Sequence, residues 1–373
     1  MSVIYKKLEQ VCNILDSQRV PITAKNRKAG EYPYYGANGL QDYVDGYIFD
    51  DELVLLAEDG GNFGSTERPI AYRVSGKCWV NNHAHVLKAR PEMNIDYLCY
   101  SLMFYNTNGI INGATRQKLT QAAMRKMVIP YREMSEQIEI VNKITRIFSL
   151  IEKRKKELEL LEGLVKSRFI ELFGDPVYNT KNNKKKTLEQ IGKWASGGTP
   201  SRNNGSYFEG TIDWYSAGEL NSLYLNNSIE KITDEAINCS SAKLFPAGSM
   251  LVGMYDTAAF KMGILKKTSS CNQACACVIP NENINIIWLY YELYLMKEYF
   301  LSQRRGVRQK NLNLGMIKKF EIPVSKYEDQ LIFADFVAQT DKSKYYNFTS
   351  YKYCVLAANL IRQEWMLCQT LSF

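Results

Sequence analysis

The sequence is written twice, which restricts the chain to two copies of one domain plan. Leu8-Glu9-Gln10-Val11 returns as Leu188-Glu189-Gln190-Ile191, and Asn82-His83-Ala84-His85 returns as Asn272-Gln273-Ala274-Cys275. Ile95-Asp96-Tyr97-Leu98 and Ile286-Ile287-Trp288-Leu289 each open an apolar, aromatic stretch of helical character. Arg116-Gln117-Lys118 returns as Arg308-Gln309-Lys310, and Val128-Ile129-Pro130 returns as Glu321-Ile322-Pro323. Glu136-Gln137-Ile138 and Asp329-Gln330-Leu331 follow. The order is kept while the offset drifts only from about 180 to about 193 residues, so each half is a domain followed by a long helical segment.

This repeat divides the chain into a domain over 1–133, a long helix over 134–174, a linker over 175–186, a second domain over 187–326 and a second long helix over 327–369. In the first helix Ile144, Ile151, Leu158, Val165 and Leu172 recur every seven residues, with charged residues such as Glu152, Lys153, Lys156 and Glu157 on the other faces. A sustained seven-residue apolar repeat describes a coiled-coil seam. Gly174-Asp175-Pro176 ends it, since glycine suits the cap and proline cannot continue a helix. The second helix carries Val337, Tyr351, Ala358 and Trp365 at corresponding places, with Lys344 interrupting. Each is either an amphipathic helix packed on its own domain or half of an antiparallel pair. Between the halves, Tyr178 to Lys186 is polar, basic and without periodicity, and reads as linker.

Within each domain the pattern is of short strands joined by Gly/Asn turns, with helices added, so the expected class is α+β with a mixed sheet. Tyr34-Tyr35-Gly36-Ala37-Asn38-Gly39 and Glu58 to Gly64 are expected as loops, the second between strands Leu53–Ala57 and Ile70–Val74. Ser196 to Ser201 and Asp256 to Ala259 play comparable parts in the second half. The chain has nine cysteines and two histidines, with no C-x-x-C pair. Cys271, Cys275 and Cys277 therefore read either as buried strand residues or as part of a metal site. His83-Ala84-His85 leaves the same two alternatives.

Composition excludes some classes. The longest apolar stretch, Ile284 to Met296, is too short and interrupted to cross a bilayer, and Met1-Ser2-Val3 leads into a charged segment without a secretory h-region. A non-membrane, cytoplasmic protein with reduced thiols is expected. No phosphate-binding loop, cofactor-binding glycine pattern, adenine-methyltransferase tetrapeptide or metal-ligand pattern is present, so no catalytic residue, metal or cofactor is assigned to this chain. Basic clusters recur instead. Arg304, Arg305, Arg308, Lys310, Lys318 and Lys319 fall in one stretch without an acid, and Arg116, Lys118, Arg125 and Lys126 occupy the matching stretch of the first half. Lysine and arginine exceed aspartate and glutamate by 47 to 39, and such clusters suit phosphate groups. Two rival readings stay open: a self-contained DNA methyltransferase or nuclease with an unrecognised active site, and a protein–protein adaptor with incidental basic loops.

These residues together resemble the specificity subunit of Type I restriction-modification enzymes. The resemblance rests on Tyr34-Tyr35-Gly36-Ala37-Asn38-Gly39, on Trp79-Val80-Asn81-Asn82-His83-Ala84-His85, and on Gly197-Gly198-Thr199-Pro200-Ser201. The Ile-Pro, Glu/Asp-Gln and long-helix succession completes it in both halves. The first half departs from the Gly-Gly-Thr-Pro form with Asp16-Ser17-Gln18-Arg19-Val20-Pro21, which makes the domains different variants. The resemblance implies two pseudo-symmetric target recognition domains joined by two long antiparallel coiled-coil helices. Each domain would read half of a split site in double-stranded DNA. The helices would dock methyltransferase (modification) and restriction/translocase subunits, and S-adenosylmethionine, ATP and Mg would belong to those partners. The methyltransferase would flip the target adenine.

Residues shared by two domains that read different sequences cannot supply the difference. Arg116, Lys118, Arg304, Arg308 and Lys310 are therefore expected on the DNA backbone or in a structural role. Base readout is expected from polar or aromatic loop residues that differ: Arg27, Tyr35, Asn38, Asn62 and Arg68 in the first half, and Arg202, Asn203, Asn204, Tyr255 and Arg305 in the second. Each of these is otherwise an exposed turn residue.

Overall fold

The computed structural model describes residues 4–113, 117–303 and 311–370, with residues 256 and 358–370 described by their backbone alone. The chain divides into two units, Met1–Lys156 with Phe348–Phe373, and Glu157–Asn347. The first unit runs β1 (Ile4–Lys7), α1 (Leu8–Val11), β2 (Cys12–Ile14), β3 (Ala29–Gly36), β4 (Gly39–Val44), β5 (Phe49–Ala57), β6 (Ala71–Val80), β7 (Ala84–Ala89), α2 (Ile95–Met103), α3 (Gln121–Lys126) and β8 (Val128–Tyr131). Its main sheet has the order β2-β7-β5-β6-β3-β4. The pairings are antiparallel except β3 with β6, so the sheet is mixed. Leu53, Val54, Leu55 and Leu56 on the central β5 are all buried, the continuous apolar run expected of a strand covered on both faces. β1 and β8 form a separate antiparallel ribbon.

After the long helix α4 (Met134–Phe173), the second unit repeats the plan. It contains β9 (Lys184–Thr187), α5 (Leu188–Ile191), β10 (Gly192–Ser196), β11 (Ile212–Tyr215), β12 (Tyr224–Leu225), β13 (Glu230–Ile232), α6 (Asp234–Asn238), β14 (Met250–Gly253), β15 (Met262–Leu265), β16 (Ser270–Cys271), β17 (Cys275–Pro280), α7 (Ile286–Leu295), α8 (Lys297–Ser302), α9 (Leu314–Lys319) and β18 (Glu321–Val324), before the second long helix α10 (Tyr327–Thr370). Here the counterpart of β6 is broken at Lys266 to Ser269. β15 keeps the pairing with β14, and β16 keeps the parallel pairing with β11. One six-stranded sheet thus becomes a five-stranded sheet, β10-β17-β14-β15-β12, and a three-stranded one, β13-β11-β16.

The repeated tripeptides are the joints of this plan. The Gln10 and Gln190 side chains accept from the Lys7 and Thr187 backbone N–H groups at 2.8 and 2.9 Å, closing the first turns of α1 and α5. Asn94 and Asn285 cap α2 and α7. Gln137 and Gln330, both wholly buried, lock the starts of α4 and α10 onto those caps. Their side-chain oxygens accept from Asn94 N and Asn285 N at 2.8 Å. Gln137 Nε2 donates to the carbonyls of Arg132 and Glu92, and Gln330 Nε2 donates to that of Ser325.

Three expectations are corrected. Lys184-Lys185-Lys186, expected as linker, is most of β9, paired with β18. Its lysines point to water on a ribbon whose backbone partners come from far along the chain, so composition alone hides it. Of the expected loop Tyr34 to Gly39 only Ala37-Asn38 turns; the rest belongs to β3 and β4, and Gly39 takes the positive φ of 108° that closes the hairpin. The strand expected from Ile70 to Val74 runs on to Val80. Cys271, Cys275 and Cys277 are buried free thiols on β16 and β17, as the strand alternative holds.

Both long helices contribute to each unit. In the second unit Val165, Phe169 and Phe173 of α4 and Phe333 and Val337 of α10 are buried in one core, with Leu172 against it. The Phe169 and Phe333 rings meet edge to face at 5.2 Å, and Arg168 lies over Phe336. In the first unit Ile144 is buried, and Ile151 of α4 and Tyr351 of α10 line one cleft. Leu158 is half-buried. The Ala358 and Trp365 side chains lie outside the described residues. Gly174, at φ 78°, ends α4, its N–H donating to the Ile170 carbonyl, and a Cβ there would meet the Thr180 hydroxyl at 2.3 Å.

Candidate nucleic-acid interface

The two units repeat the same pairings where the loops leave the sheet. Tyr34 on β3 stands opposite Asp42 on β4 and Trp79 on β6; Trp214 on β11 stands opposite Glu230 on β13 and Ser270 on β16. The next carbonyls, of Tyr35 and Tyr215, accept from the backbone N–H of Asn81 and Asn272 at 3.0 and 2.9 Å. The side-chain oxygens of Asn81 and Asn272 then accept from the N–H two residues on, His83 and Ala274. The counterpart of Asn272 is therefore Asn81 and not Asn82, and the counterpart of His85 is Ala276, since these stand opposite Leu56 and Val252. This shifts one expected repeat match by a single residue.

An arginine lies on this shared frame in both units. The Arg27 guanidinium stacks 4.1 Å from the Tyr34 ring centroid and pairs with Asp42 at 3.4 Å. The Arg202 guanidinium lies 4.2 Å from Phe208 and 5.2 Å from Trp214, and pairs through both terminal nitrogens with Glu230, Nη2 to Oε2 at 2.8 Å. That bond holds the Glu230 carboxyl below its usual range. The aromatic at the centre also fastens the preceding loop, Tyr34 through its hydroxyl to Ile22 and Trp214 through Nε1 to the Gly198 carbonyl. Stacking on a ring and pairing with a carboxylate, bidentate for Arg202 and single for Arg27, hold each arginine in place.

The other expected readers have mixed surroundings. Asn38 is exposed and donates to the Gly60 carbonyl at 2.9 Å, tying the hairpin turn to the Glu58–Gly64 loop. Asn62 is half-buried, with Nδ2 3.4 Å from the Pro69 carbonyl. Arg68 is exposed, its N–H held by Ser65 Oγ. The Tyr35 ring is half-buried beside Tyr72 at 6.0 Å. In the second unit Asn203 is an exposed turn residue and Asn204 caps a short 3-10 turn through Ser206 N. The Tyr255 side chain is exposed. Asn38, Asn62 and Arg68 thus gather around one loop cluster, whereas Asn203, Asn204 and Tyr255 are brought together by no contact among the described residues.

Arg116, Arg304, Arg305, Arg308 and Lys310 lie outside the described residues. Lys118 is described and half-exposed, its ammonium 3.1 Å from Glu58 Oε1. Leu119 N donates to the Glu58 carbonyl at 2.7 Å, and Leu312 N donates to that of Met254 at 2.9 Å. Leu119 and Leu312 are therefore equivalent, and the residue before each is Lys118 in one unit and Asn311 in the other, so the expected match of Lys118 with Lys310 is also corrected by one residue.

An ionic cluster beneath Lys118 is absent from the expectations. His85 is wholly buried; its Nδ1 lies 2.6 Å from Asp16 Oδ2 and its Nε2 2.9 Å from the Leu119 carbonyl oxygen. Asp16 also accepts from Val86 N and Gln121 Nε2, each at 2.9 Å. Burial works against its charge, but these bonds outweigh it, His85 foremost, and hold the carboxyl below the ordinary range. Glu58 pairs with Arg19 at 2.7 Å as well as with Lys118. The ligand atoms of Asp16, Glu58 and His85 lie within 4.8 Å of one another. Arg19 and Lys118 already supply the cations there, and both ring nitrogens of His85 are engaged. The one sequence signal was the Asp16-to-Arg19 departure from the Gly-Gly-Thr-Pro form.

Comparison with known proteins agrees with this architecture. A family model described as the Type I restriction modification DNA specificity domain matches residues 3–161 and again 180–346. A type I restriction enzyme specificity subunit of Haemophilus influenzae is 38% identical over 148 residues, covering 40% of this chain and 38% of that protein. The EcoR124I/EcoR124II specificity subunit of Escherichia coli is 28% identical over 224 residues, covering 58% and 55%. The chain thus spans about half the length of these relatives or less. In fold it is similar to the S subunit of a type I restriction-modification system from M. genitalium, with a TM-score of 0.65, 12% identity and coverage of 98% and 96%. A second structure, from work on complex assembly and conformational transition of the type I R-M system, matches with a TM-score of 0.58 at 14% identity, covering 98% and 97%. Among the described residues no helix is long and apolar enough to cross a membrane.

Proposed function

Because the chain belongs to the Type I restriction modification DNA specificity family, whose domain it carries twice, we propose that it is the DNA-recognition subunit of such a system, acting in the cytoplasm. Each domain reads one half of a split site in duplex DNA. The long helices dock methyltransferase and restriction subunits, and adenine methylation, translocation and cleavage, with their S-adenosylmethionine, ATP and Mg, reside there. This chain contributes no catalytic group. His85 is sealed in the cluster and His83 pairs with Asp59 at 2.5 Å, so neither histidine is set beside a nucleophile.

The observation that carries this reading is one frame bearing two kinds of loop. The Tyr35–Asn81 and Tyr215–Asn272 bonds coincide, while the loops leaving that frame share no sequence. A common frame suits a common duplex backbone, and different loops suit different base edges. Arg116, Arg304, Arg308 and Lys310 are assigned to phosphates, and Lys118, whose counterpart is Asn311, joins them on its charge and exposure and not as a shared residue. Tyr35, Asn38, Asn62, Arg68, Asn203, Asn204, Tyr255 and Arg305 remain the base-reading set. Arg27 and Arg202 leave that set: occupying one place on both frames, they cannot distinguish two half-sites and instead anchor the loops that do.

The test is methylome sequencing of a host expressing this chain with its methyltransferase partner. One split methylated-adenine motif with an unread gap is expected. A contiguous motif, or methyl transfer by the isolated chain, contradicts the reading.

A further inference from the structure

The segments that follow the basic stretches, residues 117–121 and 311–314, are held differently in the two domains. In the first, besides the paired backbone bonds of Lys118 with Asn112 at 3.0 and 2.7 Å, five bonds reach residues 117–121 from the cluster and its loop. The Lys118 ammonium meets Glu58, Leu119 N donates to the Glu58 carbonyl and Gly60 N to that of Gln117, the Leu119 carbonyl meets His85, and Gln121 donates to Asp16. Arg19 closes the group from the other side, on Glu58 and on the Ala84 carbonyl, each at 2.7 Å. In the second domain the counterparts of Asp16, Glu58 and His85 are Ser196, Met254 and Ala276, placed by the same strand registers and backbone bonds. None of those side chains can make these ionic contacts. Among the described residues the backbone bond from Leu312 to Met254 is kept, and Met254 is itself buried in the apolar core.

We propose that Asp16, Glu58 and His85 are positioning residues for the first half-site alone: they fix the Lys118–Gln121 segment, and through it the fit of the first domain on DNA. The second domain does this with packing. A lost side-chain bond to a carbonyl beneath a contact loop loosens that loop without removing any group that touches DNA, so the effect appears as weaker discrimination in one half only. Asp16 and Glu58 are not a cation site on this account, because Arg19, Lys118 and His85 satisfy them.

The test rests on the functional reading above and uses the full chain with its methyltransferase subunits. Fluorescence anisotropy compares the cognate duplex with one duplex substituted in the first half-site and one substituted in the second. The two discrimination ratios do not depend on the active fraction, so simple destabilisation leaves them unchanged. For His85→Gln the ratio for the first half is expected to fall by about tenfold, the scale of one base contact, and the ratio for the second half to stay as in wild type. Gln121→Ala, at the rim of the cluster, should give a smaller fall of the same kind. Wild type that ignores both substitutions defeats the functional reading itself. Wild type that discriminates at both halves, with variants that keep both ratios or lose both equally, overturns the positioning role. Loss of the wild-type first-half ratio in EDTA overturns it too, in favour of a bound cation.

Discussion

Asp16 shows how much one residue can organise. It is 8% exposed, yet its carboxylate receives bonds from His85, Val86 and Gln121. A buried carboxylate without such donors would be costly, so its charge and its neighbours stand or fall together. Its carboxyl is held below the ordinary range, so the stability it supplies is complete at neutral pH. That stability is lost as pH falls through the lowered folded value. Asp16→Asn is therefore expected to cost about 1–3 kcal/mol at pH 7, with the gap from wild type narrowing on acidification. Urea unfolding of both proteins at pH 7 and pH 3 checks this. A gap that widens in acid contradicts the assigned charge. Beyond the Asp16-to-Arg19 departure, the cluster left no trace in the sequence, because His85 and Asp16 stand far apart in the chain and the β2–β7 register brings them together.

At the scale of elements, what could be read from the sequence was what the repeat preserved, and the repeat preserved bonds. Leu8-Glu9-Gln10 and Leu188-Glu189-Gln190 recur because the glutamines close capping boxes. Gln137 and Gln330 recur because each joins a long helix to the cap of a shorter one. The seven-residue column of α4 marked its buried face, although Phe169 and Phe173, outside the column, carry much of the packing. The same signal failed where letters repeat without bonds. Asn81-Asn82 offers two asparagines and only the first makes the frame bond. β9 was lost among lysines, and the break between β15 and β16 has no mark beyond Lys266-Lys267. Gln137→Ala and Gln330→Ala should each destabilise their own unit by about 2–4 kcal/mol, leaving buried N–H and carbonyl groups unpaired. Hydrogen exchange checks it: protection should fall in α2 and the start of α4 for the first variant, and in α7 and the start of α10 for the second. Exchange unchanged in both regions contradicts the linkage.

For the molecule as a whole, the duplicated frame, the different loops and the two long helices are the features on which the proposed function rests: two readers, each with its own base preferences. α4 alone has 40 residues, about 60 Å of helix at about 1.5 Å per residue. On the proposed function the preferences belong to the domains and the gap to the helices, so the two should vary independently. The most direct measurement is the methylated motif made by a chain from which matching whole turns have been removed from α4 and α10. The predicted result is a shorter unread gap between two unchanged half-site sequences. Altered half-site sequences with an unchanged gap would contradict it.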